Sequence, residues 1–161
     1  MIVGSPQYLK AMTEIEKLIK QDRFEGEFHK AYVNLIYTSN HFRDLNNEVF
    51  KSYKIQPQHY NLLRILKGKY PDPVTPGQIK EVMLDKGNDI TRLIYKLEKL
   101  GWVVRSSCPG NKRNINITIT RAGIKTLETI TKNLEIINRQ HKYLTEDEYK
   151  LLSNLLDRMR G

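Results

Sequence analysis

Apolar positions along this chain recur mostly at helical spacing, three and four residues apart, and in one short stretch at every second residue, as in a strand. The first pattern predicts a helix over 5–22 after Ser5-Pro6, with Leu9, Met12, Ile15, Leu18 and Ile19 on one side. A break over 23–27 containing Gly26 separates it from a long pattern over 28–53, carried by Phe28, Tyr32, Leu35, Phe42, Leu45 and Val49. Pro57 suits the first position of another helix, whose inward side is Tyr60, Leu63 and Leu66, and 68–73 reads as a turn cluster. Thr75-Pro76 then supplies a cap and a first helical residue for a short helix ending near Leu84, followed by a tight turn at Asp85-Lys86-Gly87. The helix predicted over 88–100 has the cleanest stripe, Ile90, Leu93, Ile94, Leu97 and Leu100, and Gly101 stops it.

From Trp102-Val103-Val104 the period changes. A strand begins there, 108–113 is a turn, and Ile115, Ile117 and Ile119 alternate with Asn116, Thr118 and Thr120, which predicts a two-stranded hairpin with one apolar face. A helix over 122–143 follows, with Ile124, Leu127, Ile130, Leu134 and Ile137 as its stripe. The last helix opens on a Thr-x-x-Glu capping box at Thr145 and Glu148 and carries Leu151, Leu152, Leu155, Leu156 and Met159. The expected fold class is mainly α with a small β-hairpin wing. A winged helix-turn-helix lobe at 55–121 is preceded by a helical extension (1–27) and a scaffold helix (28–54), and followed by C-terminal helices (122–161). The terminal stripes exceed what a small three-helix module can bury, and two-fold pairing would cover them, so a homodimer is expected.

Charge sharpens this picture. Lys and Arg total 27 against 18 Asp and Glu, a net +9, which attracts polyanions through phosphate neutralisation. Net charge alone does not separate a nucleic-acid binder from other basic proteins. With its stripe buried, the helix at 88–100 turns outward Asn88, Thr91, Arg92, Tyr95, Lys96 and Lys99. Arg and Asn can make bidentate bonds to base edges, Thr can touch a base or a methyl, and Lys can neutralise phosphate. A solvated helix face explains such a stripe equally well. Lys112 and Arg113, placed at a turn tip where a core has no use for them, tilt the balance towards double-stranded DNA, whose narrow minor groove attracts cations.

The stretch Ile90-Thr-Arg-Leu-Ile-Tyr-Lys-Leu-Glu-Lys-Leu-Gly-Trp-Val103, then Asn111-Lys-Arg113 and Ile117-Thr-Ile-Thr-Arg-Ala-Gly123, resembles the MarR family of bacterial regulators, as does Pro57-Gln-His-Tyr-Asn-Leu-Leu-Arg-Ile-Leu66. The resemblance covers nearly all of the chain from about residue 28. It implies that Thr91 and Arg92 read the major groove and that Arg113 enters the minor groove. It also implies an obligate dimer built from both termini, a repressor on a pseudo-palindromic operator, and a small-molecule effector between the dimerisation helices and the lobe. On the first long helix Tyr32, Tyr37, His41 and Arg43 supply aromatic and polar groups for such an effector, although core packing accounts for the tyrosines as well. There is one departure. Asn111 stands where the family carries an Asp, so a charge-assisted bond that would fix the wing arginine is replaced by a weaker amide contact.

Other chemistries find little footing. Cys108 is the single cysteine, which excludes an internal disulfide framework and suits a reducing, cytoplasmic setting; it reads as an incidental small residue. The histidines His29, His41, His59 and His141 are scattered without a ligand spacing, so no metal is expected, and polar or capping roles fit them better. No phosphate loop, nucleophile elbow or carboxylate pair is present, so neither an enzyme nor a cofactor is expected, and no window has the apolar length of a membrane span. Two functions of different class remain: a DNA-binding regulator, and a winged-helix module that docks on another protein.

Overall fold

The computed structural model describes residues 14–21, 23–108 and 111–161, with backbone alone at 108 and 111–114. Its helices are α1 (Ile15–Ile19), α2 (Glu27–Ser52), α3 (Pro57–Lys69), α4 (Pro76–Val82), α5 (Ile90–Lys99), α6 (Arg121–Arg139) and α7 (Glu146–Arg160). Strands β1 (Val103–Cys108) and β2 (Asn111–Ile119) form one antiparallel hairpin between α5 and α6. Two compact units are formed, one from residues 44–137 and one from 14–43 with 138–161.

In the unit of 44–137 the predicted stripes converge. Leu62, Leu63 and Leu66 of α3, Ile79 of α4, and Leu93, Ile94 and Leu97 of α5 pack with Val103, Ile117 and Ile119 of the hairpin and Leu127 of α6. A second cluster joins Val49, Phe50 and Ile55 to Ile130 and Leu134. Burying such aliphatic side chains stabilises the unit by roughly 1.5–3 kcal/mol each before entropy is counted. Tyr60 bridges the two clusters, and its hydroxyl lies 3.0 Å from Thr131 Oγ1, so the polar end of a half-buried ring is satisfied.

The helix signals act as chemistry predicts. Thr75 Oγ1 accepts a bond from Gln78 N, and Gln78 Oε1 accepts from Thr75 N. Thr145 and Glu148 make the same reciprocal pair at α7, which holds the Glu148 carboxyl below its ordinary range. His59 Nδ1 accepts from Gln56 N at 3.1 Å and His29 Nδ1 from Glu25 N at 3.2 Å, so both are capping histidines.

The Thr120-Arg-Ala-Gly123 corner has a steric cause. Thr120 Oγ1 donates to Gly101 O and accepts from Gly123 N. A Cβ on Gly123 would stand 2.2 Å from the Trp102 carbonyl oxygen, so only glycine lets α6 start this close to the strand.

Several boundaries differ from the pattern. The first helix ends at Ile19, where Lys20 turns left-handed (φ 54), while its predicted start with Leu9 and Met12 lies outside the described residues. The helix predicted over 88–100 begins at Ile90, because Asp89 caps it by accepting from Arg92 N, and α6 stops at Arg139 rather than 143. Ile115 is exposed, so the hairpin's apolar face is shorter than the alternation predicts. Val74 pairs with Ile117 through two 2.9 Å bonds, tying the segment before α4 to the wing. A lone bridging residue leaves no periodic trace in a sequence. The histidines are less scattered than predicted, since the His41 and His141 rings lie 6.1 Å apart within the terminal unit. Among the described residues no group of three or more His, Cys, Asp or Glu is arranged to hold a metal, and no helix is long and apolar enough to cross a membrane.

Candidate nucleic-acid interface

The sequence Thr75–Gly101 builds a helix, a tight turn and a second helix, held at each joint by local bonds. Gly87 N donates to Asp85 Oδ1 at 2.9 Å and Asn88 Nδ2 donates to Asp85 O at 3.0 Å, closing the turn before α5. Gly101 follows α5 with φ 73, a left-handed conformation that glycine adopts at no steric cost. With Ile90, Leu93, Ile94 and Leu97 at most 7% exposed, the orientation of α5 is fixed by its buried side.

The outward side of α5 presents Thr91, Arg92 and Tyr95 to solvent, with Lys96 partly covered. Arg92 and Lys96 are one helical turn apart on one face. Lys99 Nζ sits 4.6 Å from the centre of the Tyr95 ring, a cation–π contact that gathers charge and aromatic surface at the C-terminal end. Arg92 and Lys96 make no ion pair among the described residues, so their charge is available to a partner. By contrast Glu98 is engaged. Its Oε2 lies 3.0 Å from Arg105 Nε, at an angle outside hydrogen-bond geometry, and this ion pair braces β1 against the end of α5.

Asn88 is the one candidate of this helix that the structure moves. It precedes the cap, half-buried in the turn, with its amide nitrogen committed to Asp85, so its side chain does not belong to the helix face. Lys112 and Arg113 fall in β2 rather than in a broad turn. Pairing jumps from Ser107–Ile115 to Cys108–Asn111, which leaves 112–114 as extra residues on one strand, a bulge near the hairpin end. The side chains of Cys108, Asn111, Lys112 and Arg113 lie outside the described residues.

A pocket of about 500 Å³ opens beside this face, lined by Lys54, Ile55, Gln56, His59, Asn88, Asp89, Arg92, Leu93 and Lys96. It thus brings Asn88, Arg92 and Lys96 together with residues of the loop before α3 that periodicity did not single out. A signal was present in Gln56-Pro-Gln-His59, which has capping-box spacing with an amide and an imidazole in place of the usual hydroxyl and carboxylate. Burial pushes the His59 imidazole below its ordinary pKa, and the charge of Lys96 adds to the lowering.

Comparison with known proteins agrees with this geometry. A MarR transcription factor from Planctomyces limnophilus is 31% identical, with 84% of this chain and 98% of that one covered and a TM-score of 0.65. A mutant MarR from E. coli, solved in complex with operator DNA, is 27% identical over 80% of this chain and 92% of that one, with a TM-score of 0.67. The HTH-type transcriptional regulator PecS of Dickeya dadantii (strain 3937) is 26% identical over 117 residues, 70% of this chain and 69% of that protein. No family model matches. A capped helix-turn-helix with a hairpin wing, an outward cationic face and this extent of likeness lead to one assignment: the chain belongs to the MarR family of DNA-binding transcription regulators, not to a family of enzymes.

Proposed function

We propose that this regulator is a cytoplasmic repressor that binds a pseudo-palindromic operator as a homodimer and is released by a small-molecule effector. The observation that carries the DNA-contacting part is that Arg92 and Lys96, which have no ion-pair partner among the described residues, lie on the outward face of a helix whose other side is locked in the core. In this reading Thr91, Arg92 and Tyr95 address base edges, Lys96 addresses phosphate, and Lys112 and Arg113 of the wing address the minor groove. Asn88 contributes through the turn that positions α5. The similar E. coli protein solved in complex with operator DNA supports DNA binding by this chain.

Dimerisation rests on the terminal unit, where Phe28, Tyr32, Leu151, Leu152, Leu155 and Met159 are exposed. A second copy offers the same apolar surface and would cover both in an isologous interface. Two lobes then meet half-sites about one helical turn, roughly 34 Å, apart. The division of labour expected from the sequence follows: 28–54 as scaffold, 55–121 as DNA-binding lobe and 122–161 as dimerisation helices. The effector acts by preferring a dimer whose α5 helices are misplaced for the operator, which shifts the population from the DNA-competent form. A band-shift titration against the protein's own upstream region tests the reading, with stoichiometry read by sedimentation. Two chains per site and discrimination against random duplex are expected. A monomeric protein with no such discrimination would overturn it in favour of a protein-docking module.

A further inference from the structure

The pocket beside α5 gathers Lys54, Arg92 and Lys96 against the single carboxylate of Asp89. Asp89 is already occupied as the cap of α5, accepting from Arg92 N at 3.2 Å. None of the three cations has an ion-pair partner among the described residues. Lys54 follows the end of α2 in a left-handed conformation (φ 55), a place usually taken by glycine or asparagine, and it is one of the residues that line the pocket. His59 also lines the pocket at 7% exposure, and because its Nδ1 accepts from Gln56 N, the proton of the neutral ring is on Nε2. A recess lined by three cations and one carboxylate, with an imidazole N–H in its wall, suits an oxyanion.

We propose that this pocket seats one phosphodiester of the bound duplex, with Lys54 and Lys96 supplying charge and His59 a neutral donor, so that the loop before α3 clamps the strand flanking the major groove entered by α5. This rests on the DNA-binding reading above and adds Lys54, Gln56 and His59 to it. The role is positional. A phosphate fixed here sets the register in which Arg92 meets a base edge, without itself reading sequence.

A scan of operator duplexes, each with one phosphate neutralised as a methylphosphonate, tests the clamp against parent, Lys54→Gln and Lys132→Gln. Lys132 is an exposed lysine of α6 outside this pocket and controls for the loss of one charge. The expected results are a salt slope about 0.9 shallower for Lys54→Gln than for parent, equal weakening on operator and random duplex, and little change for Lys132→Gln. At one phosphate per half-site, neutralisation should weaken the parent and add nothing further in Lys54→Gln. Additive effects at every phosphate, or equal slopes for the two lysine variants, would overturn the clamp while leaving DNA binding intact. A parent protein with no duplex affinity would instead remove the reading on which it rests. Glutamine accepts the backbone of Lys54 as readily as lysine, and an unchanged denaturation midpoint checks that the variant is folded. His59→Gln gives a second measure, with weaker binding expected at an unchanged salt slope, since a neutral donor releases no counterion; an unaltered affinity would remove His59 from the clamp.

Discussion

In α5 the apolar stripe is at most 7% exposed, whereas in α7 Leu151, Leu152, Leu155 and Met159 are between 39% and 58% exposed. The two helices are written in the same period and capped by comparable local chemistry, Asp89 at one and Thr145 at the other. What differs is where the covering surface comes from. Around α5 it is supplied by α3, α4, β2 and α6 of the same chain, each contributing side chains to one cluster. No residue of α7 is buried. A hydrophobic stripe states that a face seeks cover and says nothing of whether the cover lies in the same molecule. The lobe is therefore expected to be stable at any concentration, and the terminal helices to draw stability from association.

The largest effects should come from breaking the lobe. Gly123→Ala drives a methyl group towards the Trp102 carbonyl, 2.2 Å from where it would sit, and a backbone oxygen cannot swing aside. We expect a loss of about 3 kcal/mol or more in denaturant unfolding, independent of protein concentration. Leu97→Ala, at a fully buried site, should cost about 2–5 kcal/mol in the same way. A concentration-dependent loss in either variant would show that the lobe, too, depends on a second chain.

Next in size is the terminal face. Leu151→Glu with Leu155→Glu places charge on exposed positions of α7, so it should barely touch the folding of one chain. It should instead yield monomers by sedimentation at concentrations where the parent is dimeric, and abolish the dependence of the unfolding midpoint on concentration. A parent that is already monomeric at micromolar concentration would remove the contrast between the two helices.

Removing the cap at Thr145 is a smaller perturbation of the same unit. Thr145→Ala deletes the acceptor for Glu148 N and should cost about 1 kcal/mol. If α7 is needed for pairing, the variant should dimerise more weakly; unchanged dimerisation would detach the helix from that role.

The smallest effect is expected from pH. Burial holds His59 neutral below the ordinary histidine value of 6.5, and its Nδ1 can accept from Gln56 only while unprotonated. The unfolded chain therefore binds the proton more readily, so this residue's contribution to stability is present above that value and is lost as pH falls below it. Between about pH 8 and pH 5 the parent should lose more stability than His59→Gln, which lacks this imidazole. Parallel losses would show that the imidazole is not held neutral by the fold.

The elements built from local chemistry are legible in the amino-acid sequence. Thr75-Pro76, Thr145 with Glu148, and Gly101 each carry their bonds within a few residues, so their spacing alone announces them. The stripe of α5 is legible for the same reason, and it correctly turns Arg92 and Lys96 outward. What depends on contacts distant in sequence is not legible. Val74 meets Ile117 across more than a third of the lobe, and Lys54 and His59 meet Lys96 only after α3 and α5 have packed. Asn88 continues the helical period and so reads as part of the helix, yet the Asp85 turn holds its amide and Asp89 takes the cap. The end of the wing reads as a wide turn, whereas a bulge takes up 112–114, because strand pairing there is decided by register across the hairpin and not by turn residues alone.

Whether α5 reads sequence through its outward face is tested most directly at Arg92. A competition titration should set parent and Arg92→Ala against the operator and against random duplex of equal length at one salt concentration. The variant should lose about 1–3 kcal/mol at the operator and much less on random duplex, because base contacts specify and phosphate contacts only position. Equal losses on both duplexes would mean that Arg92 serves only as charge, and would contradict the reading of α5 as the recognition helix.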